Sequence, residues 1–212
     1  MPTIVVDTGS GNLRSVEKAA EAAAETAGGA DSSVVRSSDP NVIRKASRLI
    51  LPGQGAFGDC VRALQESGIG SAVLEFIATG KPLFGICVGL QLLFESSEEA
   101  PGVAGLGIFK GQVRRLQGGP GIKIPHMGWN ALRFEVERPP YLASSAAPNE
   151  YFYFVHSFHA VPENPRELLA TVDYGTNRVT AAVGRDNVFA TQFHPEKSQR
   201  AGLALLTEFF KQ

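Results

Sequence analysis

The chain has 212 residues, a formal net charge of −1 at pH 7, 43% hydrophobic residues and 19% charged residues. This is an ordinary globular composition with enough length for a real core, so a single domain over residues 1–212 is expected. There is no basic excess of the kind that nucleic-acid binding requires, and no apolar run approaches the roughly 20 residues of a membrane helix.

The cysteine content points to a reducing compartment. Cys60 and Cys87 are the two cysteines, too few for a disulfide framework in a chain of this length. The start of the chain, Met1–Val6, has neither a basic leader nor a cleavage-site pattern. We therefore expect a cytoplasmic protein in which a cysteine is free to act as a nucleophile.

The first half of the chain predicts alternating strands and helices. Buried strands are predicted over residues 1–7, 34–35, 48–51 and 82–86, and helices over residues 14–26, 69–77 and 89–97. Such alternation favours a parallel sheet that is covered by helices on both faces.

The second half is rich in β-like segments. They cover residues 108–116, 131–136, 151–158, 168–173, 179–183 and 188–193, and an amphipathic helix follows over residues 198–210. The predicted fold class is therefore α/β, an open and mostly parallel sheet flanked by helices, with an added antiparallel β layer.

The segment Gly85-Ile86-Cys87-Val88-Gly89 follows a predicted strand and precedes a predicted helix. It has the pattern of a nucleophile elbow with a thiol, in which a sharp turn exposes the side chain. The backbone N–H of Val88 would then point to the place where an oxyanion forms. A buried, unreactive cysteine explains this segment equally well, and that reading is favoured for Cys60.

The segment His194-Pro195-Glu196 follows the last predicted strand. A base must take a proton from the thiol, and a carboxylate two residues away can hold the imidazole in one tautomer. By itself this segment favours a surface turn. Combined with the elbow it predicts a base at the same sheet edge, because ligand crevices form at the carboxyl ends of parallel strands.

A third segment, Gly53-Gln54-Gly55, continues another predicted strand. A glycine-rich loop can turn a backbone N–H towards an oxyanion, although a plain strand-to-helix turn is the simpler explanation of the segment alone.

Together these segments resemble the class I glutamine amidotransferase domains, which have a flavodoxin-like fold. The resemblance rests on residues 52–55, 85–95 and 193–198. It implies a nucleophile at Cys87, an acid/base at His194 and an orienting carboxylate at Glu196, with no metal or organic cofactor. It also implies glutamine-binding or oxyanion residues at Gly53, Gln54, Gly55, Val88, Gln91, Glu95, His156, Ser157 and Phe158, with Gln91 and Glu95 on the helix after the elbow.

A closer resemblance is to the glutaminase subunits of imidazole glycerol phosphate synthase, and it spans nearly the whole chain. It rests on residues 7–16, 55–60, 125–130 and 153–157. It implies a heterodimer with a (β/α)₈ cyclase subunit, which uses the ammonia to form imidazole glycerol phosphate and an aminoimidazole carboxamide ribonucleotide. Thr8 and Gln54 depart from the usual Tyr and Val of that group. Because the backbone at position 54 is the functional part, we expect the second change to be tolerated.

Five residues are candidates for the partner surface. Tryptophan and methionine are favoured in the centres of interfaces, whereas core packing is the ordinary place for a lone tryptophan. With the resemblance, the interface is favoured for Met127, Trp129, Asn130, Tyr153 and Lys197.

Some segments also suggest other functions. Asp7-Thr8-Gly9 looks like an aspartic protease signature, but no second copy of it occurs. His156 and His159 lack a third metal ligand nearby and are interpreted as structural or pocket-lining. A glutaminase subunit that serves anthranilate or pyridoxal phosphate synthesis, a cysteine peptidase and a degenerate binding subunit remain as alternatives.

Overall fold

The structure is a computed structural model that describes residues 1–9, 12–28, 33–137, 141–142 and 150–211. Its strands are β1 (Thr3–Val6), β2 (Val34–Ser37), β3 (Arg48–Gly53), β4 (Leu83–Cys87), β5 (Phe94–Ser97), β6 (Phe109–Arg115), β7 (His126–Ala131), β8 (Arg133–Phe134), β9 (Tyr151–His156), β10 (Phe158–Pro162), β11 (Leu168–Tyr174), β12 (Asn177–Arg185) and β13 (Val188–Thr191).

The helices described are α1 (Leu13–Ala27), α2 (Pro40–Arg44), α3 (Phe57–Glu66), α4 (Ile69–Ala78), α5 (Val88–Leu92) and α6 (Gln199–Phe210). Two short 3₁₀ turns cover Pro165–Glu167 and Pro195–Lys197. None of the helices in the described part of the chain is both long and apolar enough to span a membrane.

The main sheet has eight strands in the order β2-β1-β3-β4-β13-β12-β11-β8. The pairings from β2 through β13 are parallel, and those from β13 to β8 are antiparallel. Strands β1, β3 and β4 are buried along almost their whole length. Burial of both faces requires helices on each side, and it explains why these strands are continuous apolar runs. The predicted fold class is confirmed.

Two small sheets supply the remaining β structure. Strand β6 pairs in antiparallel with β10 and in parallel with β5, while β7 and β9 form an antiparallel pair of their own. The predicted segment 151–158 is therefore two strands that join different sheets and meet at Ser157. The segment 131–136 contributes only Arg133–Phe134 to the main sheet, and the prediction missed β7, α2 and α3.

The predicted helix over residues 89–97 is wrong in its second half. Helix α5 ends at Leu92, and β5 begins at Phe94. Phe94 stacks on Phe109 with ring centroids 5.5 Å apart, and β5 pairs with β6. This tertiary pairing overrides the local helical pattern, and it removes Glu95 from the helix after the elbow.

The strand order brings three distant segments to one edge of the sheet. Gly53, at the end of β3, pairs with Cys87, at the end of β4. Thr191, at the end of β13, pairs with Ile86. Because the three strands are parallel and adjacent, the segments that follow them all emerge at the carboxyl edge, where open α/β sheets form their crevices.

Candidate active site

Cys87 lies in a strained turn between β4 and α5. Its φ is 56° and its ψ is −112°, an uncommon conformation for a residue with a side chain, and it is the N-terminal cap of α5. Glycines allow the close packing around it. A Cβ on Gly89 would lie 1.9 Å from the carbonyl oxygen of Leu51, and one on Gly85 would lie 2.9 Å from the Cβ of Ala190. This is the geometry of a nucleophile elbow.

His194 is held in place through its backbone. Its N–H donates to the carbonyl oxygen of Tyr153 at 2.9 Å. The hydroxyl of Ser198 donates to the carbonyl oxygen of His194 at 2.7 Å and accepts the N–H of Tyr153 at 2.9 Å. Ser198 is buried and joins the turn to β9. Sequence reasoning did not single it out, because a serine before a helix is most often read as a cap.

The imidazole of His194 contacts the carboxylate of Glu196. Nδ1 and Oε1 are 2.7 Å apart, so Nδ1 carries a proton and donates it to the carboxylate. Nε2 is buried, and although it makes no hydrogen bond of ordinary geometry among the described residues, the side chain of Cys87 interacts with the ring. Burial lowers the pKa of His194, but the side chains of Cys87 and Glu196 outweigh it and raise the pKa to about 10. The protonated ring is favoured, and it can donate a proton from Nε2.

A cavity of about 360 Å³ opens beside these groups. Cys87 and His194 line it together, and β9 and the start of β10 form its other wall. The predicted binding residues that line it are Gly53, Gln54, Gly55, Val88, Gln91, His156, Ser157 and Phe158.

The sequence profile described as glutamine amidotransferase class-I matches residues 4–212. The chain belongs to this family. It is 44% identical over 211 residues to the imidazole glycerol phosphate synthase subunit HisH of Syntrophotalea carbinolica, covering 97% of this chain and 98% of that protein. It is 47% identical to the HisH of Aquifex aeolicus over 209 residues, covering 99% and 96% of the two chains.

Solved structures show the same fold at lower identity. A crystal structure of a glutamine amidotransferase aligns with a TM-score of 0.67 at 20% identity, and the alignment covers 99% of both chains. The glutaminase domain of Trypanosoma brucei CTPS, determined with bound acivicin, aligns with a TM-score of 0.65 at 15% identity, covering 98% of this chain and 92% of that one.

One predicted binding residue lies outside the cavity of this glutamine amidotransferase. The Glu95 carboxylate accepts the N–H of Gly111 at 3.0 Å and lines a separate cavity with Arg114. Glu99 takes its place in the lining, where its carboxylate accepts the N–H of Phe57 at 2.7 Å. Sequence reasoning missed Glu99 because the segment was read as a continuous helix, although Ser97 is a typical turn residue.

Gln54 links the loop after β3 to two neighbours. Its side-chain oxygen accepts the N–H of Asn12 at 3.1 Å, and its carbonyl oxygen accepts the thiol of Cys60 at 3.3 Å. Burial raises the pKa of Cys60, which keeps this thiol protonated and unreactive. Cys60 is buried and hydrogen-bonded to the backbone, which agrees with the expectation of an unreactive cysteine.

A pair of buried histidines supports the far wall of the cavity. Nδ1 of His156 lies 2.9 Å from the carbonyl oxygen of Phe158, which fixes the proton on Nδ1. Nε2 of His156 can therefore only accept, and it lies 3.1 Å from Nδ1 of His126. His159 is elsewhere, with Nδ1 3.4 Å from the N–H of Thr180. No group of three or more possible metal ligands occurs among the described residues.

The candidate partner residues form an exposed surface beside the cavity. Met127 and Trp129 are 62% and 56% exposed on β7. The ring centroids of Trp129 and Tyr153 are 4.9 Å apart, and Nζ of Lys197 lies 5.6 Å from the ring centroid of Tyr153. Asn130 differs, since its amide donates to the carbonyl oxygen of Asp173 at 3.0 Å and so ties β7 to β11.

The histidine pair predicts that acid destabilises the fold. Burial lowers the pKa of His126 to about 4 and that of His156 to about 3, against 6.5 for the free side chain. Between these values the unfolded chain binds more protons, so the free energy of unfolding falls as the pH decreases from 6.5 towards 4. His194 adds little below about pH 6, because its raised pKa keeps it protonated in the folded chain and an ordinary histidine of the unfolded chain is largely protonated there as well.

The substitution His126→Asn removes one of these titrating groups and keeps an N–H donor towards His156. We expect the slope of unfolding free energy against pH to fall by up to about 1.4 kcal/mol per pH unit between pH 6 and 4. Urea unfolding at a series of pH values measures this slope. An unchanged slope would contradict the assignment of a buried neutral pair.

Proposed function

We propose that this chain is the glutaminase subunit of imidazole glycerol phosphate synthase, which hydrolyses glutamine to glutamate and delivers the ammonia to a cyclase subunit for histidine biosynthesis. The observation that carries the proposal is that Cys87 and His194 line one cavity, while the carboxylate of Glu196 accepts the Nδ1 proton of His194. Its support from other proteins is the similarity, along nearly the full length, to HisH subunits.

In the proposed first step the anionic sulfur of Cys87 attacks the side-chain carboxamide carbon of glutamine. A C–S bond forms, and backbone N–H groups near Gln54 and Val88 hold the charge that develops on the oxygen. His194 then gives its Nε2 proton to the departing nitrogen, the C–N bond breaks, and ammonia leaves a thioester. Nε2 suits this transfer because it is buried beside the side chain of Cys87, the group that attacks the substrate.

In the second step water hydrolyses the thioester. The now neutral His194 takes a proton from the water, the C–O bond forms, and the sulfur leaves as the anion. Glu196 holds the imidazole with Nδ1 protonated and stabilises the charged ring that results. Each step uses groups of this chain and water.

The cavity also suits the amino-acid end of glutamine. Glu99 and Lys197 both line it and bring charges of opposite sign. A free amino acid carries an ammonium and a carboxylate on the same carbon. We assign the ammonium to Glu99, since charge-assisted hydrogen bonds are the strong ones.

The exposed surface of β7 suits a partner that receives the ammonia. Ammonia is largely protonated in neutral water and is then a poor nucleophile, so direct transfer to a bound acceptor avoids a loss. Met127 and Trp129 are large apolar side chains exposed to solvent, and Tyr153 belongs both to this surface and to the cavity lining. We place the cyclase on this surface, in a cytoplasmic heterodimer with one glutamine amidotransferase domain per chain.

The substitution Cys87→Ala tests the nucleophile. We expect it to lower glutamate formation at least about a thousandfold, because both chemical steps need the sulfur. The assay is glutamine hydrolysis with and without the cyclase subunit and its nucleotide ligand. The matched control is Cys60→Ser, which keeps a donor to Gln54 and should retain most activity. Glutamate formation at the normal stimulated rate by Cys87→Ala would refute the proposal.

The substitutions Glu99→Gln and Glu95→Gln separate the observed lining residue from the one that the sequence suggested. Glu99→Gln keeps an acceptor for Phe57 but loses the charge, so KM for glutamine should rise about 10- to 100-fold. Glu95→Gln should leave KM within about twofold, as expected for a surface change away from the site. The reverse order of effects would contradict the assignment.

The substitution Trp129→Ala tests the partner surface. Truncation of a large aromatic side chain at an interface centre costs about 2 kcal/mol or more, so the Kd for the cyclase should rise about 30-fold. Calorimetric titration measures it. The control is Leu74→Ala, which removes an exposed apolar side chain on α4. Equal Kd values for Trp129→Ala and the unaltered protein would show that Trp129 does not lie at the centre of the interface.

A further inference from the structure

A buried carboxamide lies beside the sulfur of Cys87 and has no part in the two steps proposed for glutamine hydrolysis. Nε2 of Gln192 lies 3.7 Å from Sγ, within the range of an N–H···S hydrogen bond, and Gln192 has no exposed surface. Removing an amide from water is costly unless its polar atoms find partners. The burial of the Gln192 amide beside the Cys87 sulfur therefore points to a role at that sulfur.

The amide of Gln192 is held in one orientation by a second amide. Nε2 of Gln91 donates to the carbonyl oxygen of Phe158 at 3.0 Å and to Oε1 of Gln192 at 3.1 Å. A backbone carbonyl only accepts, so Gln91 must present its nitrogen on this side. Oε1 of Gln192 consequently faces Gln91, and the N–H₂ group faces the sulfur.

The same carbonyl group of Phe158 also accepts Nδ1–H of His156. A chain of hydrogen bonds therefore runs from the carbonyl oxygen of Phe158 in β10 through Gln91 and Gln192 to the sulfur. A flipped Gln192 amide would set its N–H₂ group against that of Gln91 and its oxygen against the sulfur, which costs free energy in a buried site.

Gln192 and His194 are two residues apart at the end of β13. Both side chains lie next to Cys87, so the segment that supplies the imidazole also supplies the amide. The sulfur of Cys87 thus lies between two donors from one segment. His194 can give its proton away, whereas the amide of Gln192 cannot.

We propose that Gln192 is a positioning residue for Cys87, whose amide N–H, oriented by Gln91, holds and stabilises the anionic sulfur throughout glutamine hydrolysis. The inference rests on the proposed function and deepens it. When the sulfur attacks, the imidazole must turn its proton to the leaving nitrogen. When the thioester is hydrolysed, the sulfur leaves again as an anion. In both situations the amide remains a donor, because hydrogen bonds to the charged form favour that form.

The titratable side chains that line the cavity with Cys87 are Glu99, Tyr153, His156, His194 and Lys197. Glu196 acts behind His194. All of these remain in the variants below, so a change in the titration of the sulfur reports on the amides.

The test is the pH dependence of Cys87 alkylation by iodoacetamide, followed by mass spectrometry of the peptide that contains Cys87 so that Cys60 is scored separately. Gln192→Met keeps the length of the side chain and removes the donor. We expect the midpoint of the profile to rise by about one pH unit. With glutamine as substrate, kcat should fall about tenfold while KM changes little, since the sulfur and not the substrate loses a contact.

A second variant checks the orienting amide. Gln91→Met frees the amide of Gln192 to rotate, so the midpoint should rise in the same direction by about half a pH unit. The double variant should show no larger shift than Gln192→Met alone, because the two residues act through one contact. The matched control is Thr191→Val. It removes a buried hydrogen bond to the carbonyl oxygen of Phe193 that does not reach the sulfur, so Tm should fall without a shift in the profile.

An unchanged alkylation profile in folded Gln192→Met would overturn the proposal, whatever happens to Tm. If that variant does not fold, an unchanged profile in Gln91→Met overturns it instead. The alkylation reaction needs no glutamine, so it tests the role of Gln192 independently of the proposed glutaminase function. If the profile shifts but the protein does not hydrolyse glutamine, the proposed function is refuted, while stabilisation of the anionic sulfur by Gln192 still holds.

Discussion

The position of the Cys87 sulfur depends on close packing that only glycine permits. A Cβ on Gly53 would lie 2.6 Å from the nitrogen of Gly89, and one on Gly89 would collide with β3. Without side chains at these points, β3, β4 and the start of α5 come together, and the chain can turn at Cys87 with a positive φ. The strained turn persists because the packed strands around it fix the backbone conformation at Cys87.

The same sheet edge receives His194 from the opposite end of the chain. Parallel pairing of β13 with β4 brings the segment after Thr191 next to Cys87. Ser198 and Tyr153 then fix the backbone of His194. Since Tyr153 also contacts Trp129 on the exposed surface, the residues that hold His194 are continuous with the surface that we assign to the partner.

Local patterns predicted what depends on neighbours along the chain. The elbow followed from glycine spacing, and the parallel half of the sheet followed from continuous apolar runs. Local patterns failed where a distant segment decides the conformation. The helical reading of residues 94–97 gave way to pairing with β6, and the segment 151–158 was divided because its two halves find different partners. The helical reading also placed Glu95 on the helix after Cys87, whereas Glu95 lies in β5 and Glu99 lines the cavity.

By itself the sequence determined the fold class, the family and the residue types able to carry the chemistry, since these depend on composition, periodicity and short motifs. Only the tertiary structure decided which acidic side chain lines the cavity, that Trp129 is exposed, and that Gln192 faces the sulfur. The physical reason is that an amide or a carboxylate takes its role from the partners within hydrogen-bond distance. The sulfur that Gln192 faces lies 105 residues away along the chain.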